Sequence, residues 1–269
     1  KNEFNCNEHN LYFYKVINVT IIGTGNLAFH LSEAFSKNQK INLVEICGRK
    51  KNLPSEFNKL INYSNSIFKL KKSDFYIICV SDEQIETISK NLNVDDSSTV
   101  LHCSGSTHIN ELSNHYSYGV FYPLQTFSIK KSINFSNIPI IIEGNSNKSL
   151  NKIKDLALML SKKVFETTSK QRIAIHVSAV FTNNFTNYMR IVADEILKSN
   201  EIDTKILNPL AFETSDKLKY LSSKDAQTGP ALRNDLKTIK KHLNLLKGTD
   251  YEKVYKIIST EITKLNNEL

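Results

Sequence analysis

Three stretches carry residues whose types and spacing can do chemistry. The first is IGTGNLA at residues 22–28, which contains G-x-G-x-x-A. Between a strand and a helix, that spacing holds a pyrophosphate. Gly23 permits the tight turn, Gly25 lets the backbone approach the phosphates and Ala28 lets the helix pack on the strand. Thr24, Asn26 and Leu27 complete the loop, whose helix N-terminus presents unpaired N–H groups to the anion. An ordinary tight strand-to-helix turn would use the same letters.

The second stretch is TGPALRNDLKTIKKHL, residues 228–243. Pro230 cannot continue a preceding helix but suits a first turn. The spacing therefore predicts a new helix from about residue 230, capped by Thr228 or Gly229, with an N-terminus that favours an anion. Arg233 falls in the first turn and can grip a carboxylate with both arms of its guanidinium. Asp235 is placed to fix Arg233 or to pair across a dimer. A helix break with an internal Arg–Asp pair is the plainer alternative.

The third is the long helical pattern from about residue 170, KQRIAIHVSAVFTNNFTNYMRIVADEILKSN. His176, Val180, Asn183 and Asn187 recur at helical spacing, which sets three polar groups on one stripe. Histidine can give or take a proton near neutral pH, and Asn183 can orient a reacting oxygen or nitrogen. A helix-packing histidine would read the same way.

These residues need elements to position them. Short apolar runs at NVTIIG (18–23), INLVEIC (41–47), FYIICV (75–80), VLHCSG (100–105), GVFYP (119–123), IPIIIEG (138–144) and KVFET (163–167) predict strands. Helical patterns lie between several of them, at 27–37, 81–92 and about 147–161. Strands alternating with helices predict an α/β fold, a doubly wound, mostly parallel sheet of Rossmann type. After residue 168 the texture is helical throughout. The expected organisation is a loose extension at 1–17, a dinucleotide-binding domain at 18–167 and a helical substrate and dimerisation domain at 168–269.

Ligands of such sheets bind beyond the strand C-termini. Val80, Ser81, Ser104 and Gly105 are accordingly candidates to touch a cofactor, and His102 and Gln125 to touch a substrate, with Thr228, Gly229 and Asp235 facing them from the helical half. A buried strand position is the alternative for His102. Arg49 and Lys50 follow the second strand and suit the 2′-phosphate of NADP. Glu45 has roughly the spacing of the carboxylate that holds the ribose of NAD, but it sits inside its strand. NADP is therefore expected in preference to NAD, although Arg49 would read alike as a solvated loop charge.

Composition excludes other classes. No apolar run approaches the length of a membrane span. The net charge of +8 is spread along the chain without an arginine-rich tract or nucleic-acid motif, so no nucleic-acid partner is expected. A small anionic ligand suits this mild basicity. Cys6, Cys47, Cys79 and Cys103 match no zinc spacing, so no metal is expected. They read as buried free thiols of a cytoplasmic protein.

Taken together, IIGTGNLA, CVSD (79–82), LHCSGS (101–106), GVFYPLQTFS (119–128) and TGPALRNDLKTIKKHL resemble one family. It comprises Rossmann-like oxidoreductases whose C-terminal half is catalogued as domain of unknown function 2520. More distantly the chain resembles pyrroline-5-carboxylate reductase and deazaflavin-dependent NADP oxidoreductases. The resemblance spans residues 18–269. It implies a Rossmann domain followed by a helical domain of the 6-phosphogluconate dehydrogenase C-terminal type, and a homodimer. In related helical domains the first long helix faces the nicotinamide and often bears a lysine and an asparagine; here His176 stands in the lysine's place. The expectation is an NADP-dependent oxidoreductase that moves a hydride to or from a small anionic carbonyl, imine or hydroxy compound. His176, Asn183 and Arg233 are its catalytic candidates. The rival is an NADP-binding sensor dimer without turnover, since the fold alone does not fix function.

Overall fold

The run INVTII forms strand β1 (Ile17–Ile22) in the middle of an eight-stranded sheet. The computed structural model describes residues 16–266. Most of the expected N-terminal extension, with Cys6, lies outside the described residues. The chain divides into two compact units, the first ending at Val180 and the second beginning at Phe181.

In the first unit, helix α1 (Asn26–Ser36) connects β1 to β2 (Ile41–Cys47). The short β3 (Tyr63–Ser64) pairs beside β2; it is too short to have left a pattern in the sequence. β4 (Phe75–Ile78), helix α2 (Asp82–Asn91) and β5 (Thr99–His102) follow. Then come β6 (Tyr118–Pro123), β7 (Ile140–Gly144), helix α3 (Asn147–Leu158) and β8 (Val164–Glu166).

The strand order is β3-β2-β1-β4-β5-β6-β7-β8, parallel throughout except for the antiparallel pair β6–β7. The order reverses between β1 and β4, and ligands of open parallel sheets collect outside the carboxyl ends at that crevice. The pleat explains the near-continuous apolar runs. In β1, Val19 and Ile21 pack with Leu31 and Phe35 of α1 and Ile153 of α3. Ile22 joins Ile78 and Ile85 of α2 in a second core. Strands buried on both faces have no polar side to alternate with.

Helix α4 (Ser169–Ala179) closes the first unit. It starts on a capping box, in which the Thr168 hydroxyl accepts from Gln171 N–H and the Gln171 side chain reaches back. The predicted long helix does not run unbroken: residues Val180–Phe185 form π-helical turns before α5 (Thr186–Ser199). A π turn bonds i to i+5 and breaks the spacing on which the His176–Asn183–Asn187 stripe depended.

In the second unit every described element is a helix or a helical turn, joined by turns. A 3-10 turn at Thr204–Leu207 leads into helix α6 (Asn208–Asp216), which has Pro209 in its first turn, and another 3-10 turn follows. Helices α7 (Leu236–Leu246) and α8 (Tyr251–Asn266) follow. The start of α7 corrects an expectation. Residues 228–234 form turns, with Gly229 at φ +116° and Asn234 at φ +53°. Asp235 is the N-cap, its carboxylate accepting Thr238 N–H at 3.0 Å. Arg233 and Asp235 therefore do not share a helix.

Candidate active site

At the carboxyl ends of β1, β2, β4 and β5 lies a cavity of about 880 Å³. Its floor is the glycine loop, with Gly23, Thr24, Gly25, Asn26 and Leu27 all lining it. The glycines differ in what they permit. Gly23 sits at φ +133°, and a Cβ there would stand 2.0 Å from the carbonyl oxygen of Cys79. Gly25 has no heavy atom within 4 Å of its would-be Cβ, so its missing side chain leaves open space on the cavity side. α1 begins directly after Gly25, with no side-chain cap and no acidic residue in its first turn. The N–H groups of that turn are thus presented to the cavity, where an anion can take them. Ala28 is wholly buried in the core beneath.

Arg49 lines the same cavity. The turn that carries it is held by Tyr63, whose hydroxyl donates to the Lys50 carbonyl at 2.7 Å. Lys50 itself is exposed and lies off the cavity. Glu45 is buried, and its carboxylate accepts the Lys71 N–H, so it is not presented at the strand end. The open space at Gly25, the uncapped helix N-terminus and the guanidinium at the rim fit a dinucleotide that bears an additional phosphate.

Val80, Ser81 and Asp82 line the cavity after β4, and Cys103 and Ser104 after β5. Cys79 lines it too, and its Sγ lies 3.6 Å from that of Cys103; both are free buried thiols, as is Cys47. Burial pushes the Cys47 thiol up to about 11, with the Glu45 carboxylate adding to the effect. The loop after β5 is organised by Ser104, whose Oγ accepts N–H bonds from Ser106 at 3.1 Å and Thr107 at 2.9 Å. Ser106 in turn donates its hydroxyl to the Asp82 carboxylate.

His102 corrects the expectation that it faces a substrate. It is 0% exposed, its Nδ1 accepts Ser104 N–H at 3.2 Å, and its Nε2 has no partner. Burial, reinforced by the positive charge of Arg172, pushes its imidazole down to about 3, so it stays neutral within the sheet. Gln125 is exposed and turned back on its own loop, where its Oε1 accepts Thr126 N–H at 2.8 Å.

Gly105 is buried and stands against two side chains. A Cβ there would lie 2.6 Å from His176 Nδ1 and 2.9 Å from Tyr122 Cζ. The Tyr122 hydroxyl and His176 Nδ1 are 3.1 Å apart, and their rings meet edge to face, with centroids 6.0 Å apart at 71°. A strand-end tyrosine and a helical histidine are so joined beside the serine loop that lines the cavity. Sequence reasoning passed over Tyr122; its position at the end of β6, level with the other strand-end loops, was the available signal. It also passed over Arg172, one turn before His176. Arg172 is buried and bonds the Glu143 carboxylate and the Thr107 carbonyl.

The remaining candidates belong to the second unit. Asn183 lies in the π-helical turns and is exposed. Arg233 is exposed on the turn before α7. Thr228 and Gly229 border a separate hollow of about 350 Å³ whose walls include Met189, Val192, Leu246 and Ile258. Among the described residues no cluster of three or more histidine, cysteine or carboxylate side chains could hold a metal, and no helix is long and apolar enough to cross a membrane.

Residues 138–262 match the family model of the domain of unknown function 2520. None of the curated proteins compared is significantly similar in sequence. A Bacteroides fragilis protein described as a "putative NADP oxidoreductase" is 32% identical, with 93% of this chain and 99% of that one aligned at a TM-score of 0.83. Two further structures share the fold. One is an Aspergillus terreus reductive aminase in complex with NADPH and ethyl-5-oxohexanoate, 14% identical, with 94% of each chain aligned at a TM-score of 0.68. The other is a Plasmodium falciparum pyrroline carboxylate reductase with NADP bound, 13% identical, with 94% of this chain and 99% of that one aligned at 0.58. The glycine-loop cavity with Arg49 at its rim, the C-terminal match and the B. fragilis relative agree, and the chain belongs to the Rossmann-like NADP oxidoreductase family with a C-terminal domain of unknown function 2520.

Proposed function

We propose that the protein is an NADP-dependent oxidoreductase that moves a hydride between the cofactor and a small carbonyl, imine or hydroxy compound bearing an acidic group. The observation that carries this reading is the Tyr122–His176 pair. It packs against Gly105, next to the Ser104 that lines the dinucleotide cavity. A titratable group beside the end of a cofactor cavity is what a carbonyl or imine reduction needs for its proton. NADP would supply or accept the hydride.

The chain's own residues do the rest. The glycine loop and the N-terminus of α1 hold the pyrophosphate, and Arg49 holds the 2′-phosphate. His176 is the source of the proton. Asn183 orients the reacting atom and Arg233 holds the acidic end of the substrate. Those last two are assigned from residue chemistry: an exposed arginine offers a planar, paired donor set that matches a carboxylate. Exposed apolar side chains on the helical unit, among them Phe185, Leu210 and Phe212, support a homodimer formed through it. The buried free thiols support a reducing, cytoplasmic setting.

The test is a screen of small carbonyl, imine and hydroxy acids that follows nicotinamide absorbance, run with matched NADPH and NADH. Turnover with NADPH, reduced by about 10²–10⁴-fold in His176→Gln while NADP binding persists, is the expected result. NADP binding without turnover on any of them would leave a cofactor-binding regulator instead.

A further inference from the structure

We infer that Tyr122 is a catalytic residue of this site, its Oη handing the proton to the substrate while His176 stands behind it and replenishes that proton. The inference rests on the reading above and adds the atom through which the proton leaves the protein.

Four observations carry it. The Tyr122 hydroxyl lies 3.1 Å from His176 Nδ1. Both rings press on Gly105, where any side chain would wedge between them, since a Cβ would sit 2.6 Å from one and 2.9 Å from the other. Tyr122 is fixed at the end of a central strand, β6, rather than on a loop, and a site built on such an element is held more tightly. Tyr122 also feels the Asp82 carboxylate, which lines the cavity; burial first and that charge second hold its hydroxyl above the usual phenol range. The tyrosine is thus kept protonated, beside the Gly105 that follows the cavity-lining Ser104.

The hydrogen bond has two forms. With His176 neutral, the phenol O–H donates to Nδ1, which fixes the ring proton on Nε2. With His176 protonated on both nitrogens, Nδ1–H donates to Oη, and the phenol O–H is released to donate to another acceptor. In the reducing direction the substrate's C=O or C=N carbon gains the hydride from NADPH, and the π pair moves to the oxygen or nitrogen. That atom forms a bond to hydrogen as the Tyr122 O–H bond breaks. Oη then takes the proton from Nδ1, and a neutral imidazole remains. One hydride and one proton are consumed, and solvent restores the proton to His176. Phenolate is a weaker base than the alkoxide or nitrogen anion that the phenol protonates, so the transfer runs towards product.

The test uses Tyr122→Phe, which keeps the ring and removes only Oη, together with His176→Gln and the double variant. Tyr122→Phe should melt at the wild-type temperature and keep its calorimetric NADP affinity. Its kcat should fall by about 10²–10⁴-fold, with the substrate KM nearly unchanged. The double variant should be no slower than the slower single variant, because two groups on one proton path do not act independently. Independently of turnover, ¹⁵N NMR of His176 should show the Nε2–H tautomer in the wild type and a mixture of tautomers in Tyr122→Phe. Wild-type turnover that Tyr122→Phe retains within about twofold overturns the inference alone, as does a double variant whose losses multiply. Identical His176 tautomer populations in the wild type and Tyr122→Phe also overturn it. A wild type without turnover on any carbonyl or imine overturns the underlying reading and this inference together.

Discussion

The guanidinium of Arg172 and the carboxylate of Glu143 form a buried ion pair that pins helix α4 to strand β7, one helical turn before His176. The two side chains are 1% and 14% exposed. Glu143 also accepts Ser169 N–H at 2.9 Å, and Arg172 reaches the Thr107 carbonyl on the serine loop. One cation therefore joins three of the segments that frame the Tyr122–His176 pair. Removing one partner of such a pair leaves a buried charge uncompensated, which costs about 3–5 kcal/mol. Glu143→Gln should lose stability on that scale in denaturant unfolding. A loss below about 1 kcal/mol, the range of an exposed pair, would mean the pair is solvated.

The two glycines of the loop should separate folding from binding. Gly25→Val has room for its side chain within the protein, so it should fold with a near-native melting temperature and lose measurable dinucleotide affinity by calorimetry. Gly23→Ala meets the Cys79 carbonyl at 2.0 Å in a left-handed conformation and should be destabilised whether or not cofactor is present. Undiminished NADP binding in folded Gly25→Val would remove the phosphate site from this loop.

Arg49→Ala tests cofactor choice. A charged hydrogen bond contributes about 1.5–3 kcal/mol, so NADP affinity should fall about tenfold or more while NAD affinity hardly changes. Equal weakening of both cofactors would show that Arg49 does not read the 2′-phosphate.

His102 should make the fold acid-sensitive. Burial, with the Arg172 charge behind it, pushes its imidazole down to about 3 in the folded chain, against 6.5 for an ordinary histidine. Between those values the unfolded state binds the extra proton. Stability is therefore complete above about pH 6.5 and declines as the pH falls towards 3, by at most about 1.4 kcal/mol per pH unit. His102→Leu removes this titration. Its melting temperature should fall less steeply than the wild type's between pH 6.5 and 4, even though it leaves the Ser104 N–H without its acceptor. Parallel slopes would mean that His102 is not the acid-sensitive group.

The sequence by itself determined what depends on near neighbours. The glycine loop is legible because Gly23 and Gly25 answer to a turn and an approach set within a few residues. The Rossmann sheet is legible because strands covered on both faces must be apolar throughout, which marks runs such as FYIICV. Arg49 at the end of β2 follows from the strand's length. The start of α7 was misread for a local reason of another kind: Pro230 suits a helix's first turn but equally suits the turn that Gly229 and Asn234 close, and only the Asp235 cap decides between them. The tertiary structure alone decided the rest. Tyr122 and His176 are 54 residues apart, and no periodicity within either segment encodes their meeting. It depends on β6 entering the sheet beside β5 and on Arg172 drawing α4 onto β7. It depends also on Gly105 yielding the space between the two rings. Likewise His102 carries the same letter whether it faces a ligand or a core, and burial by its neighbours, which no local pattern records, turned it inward and left its imidazole neutral.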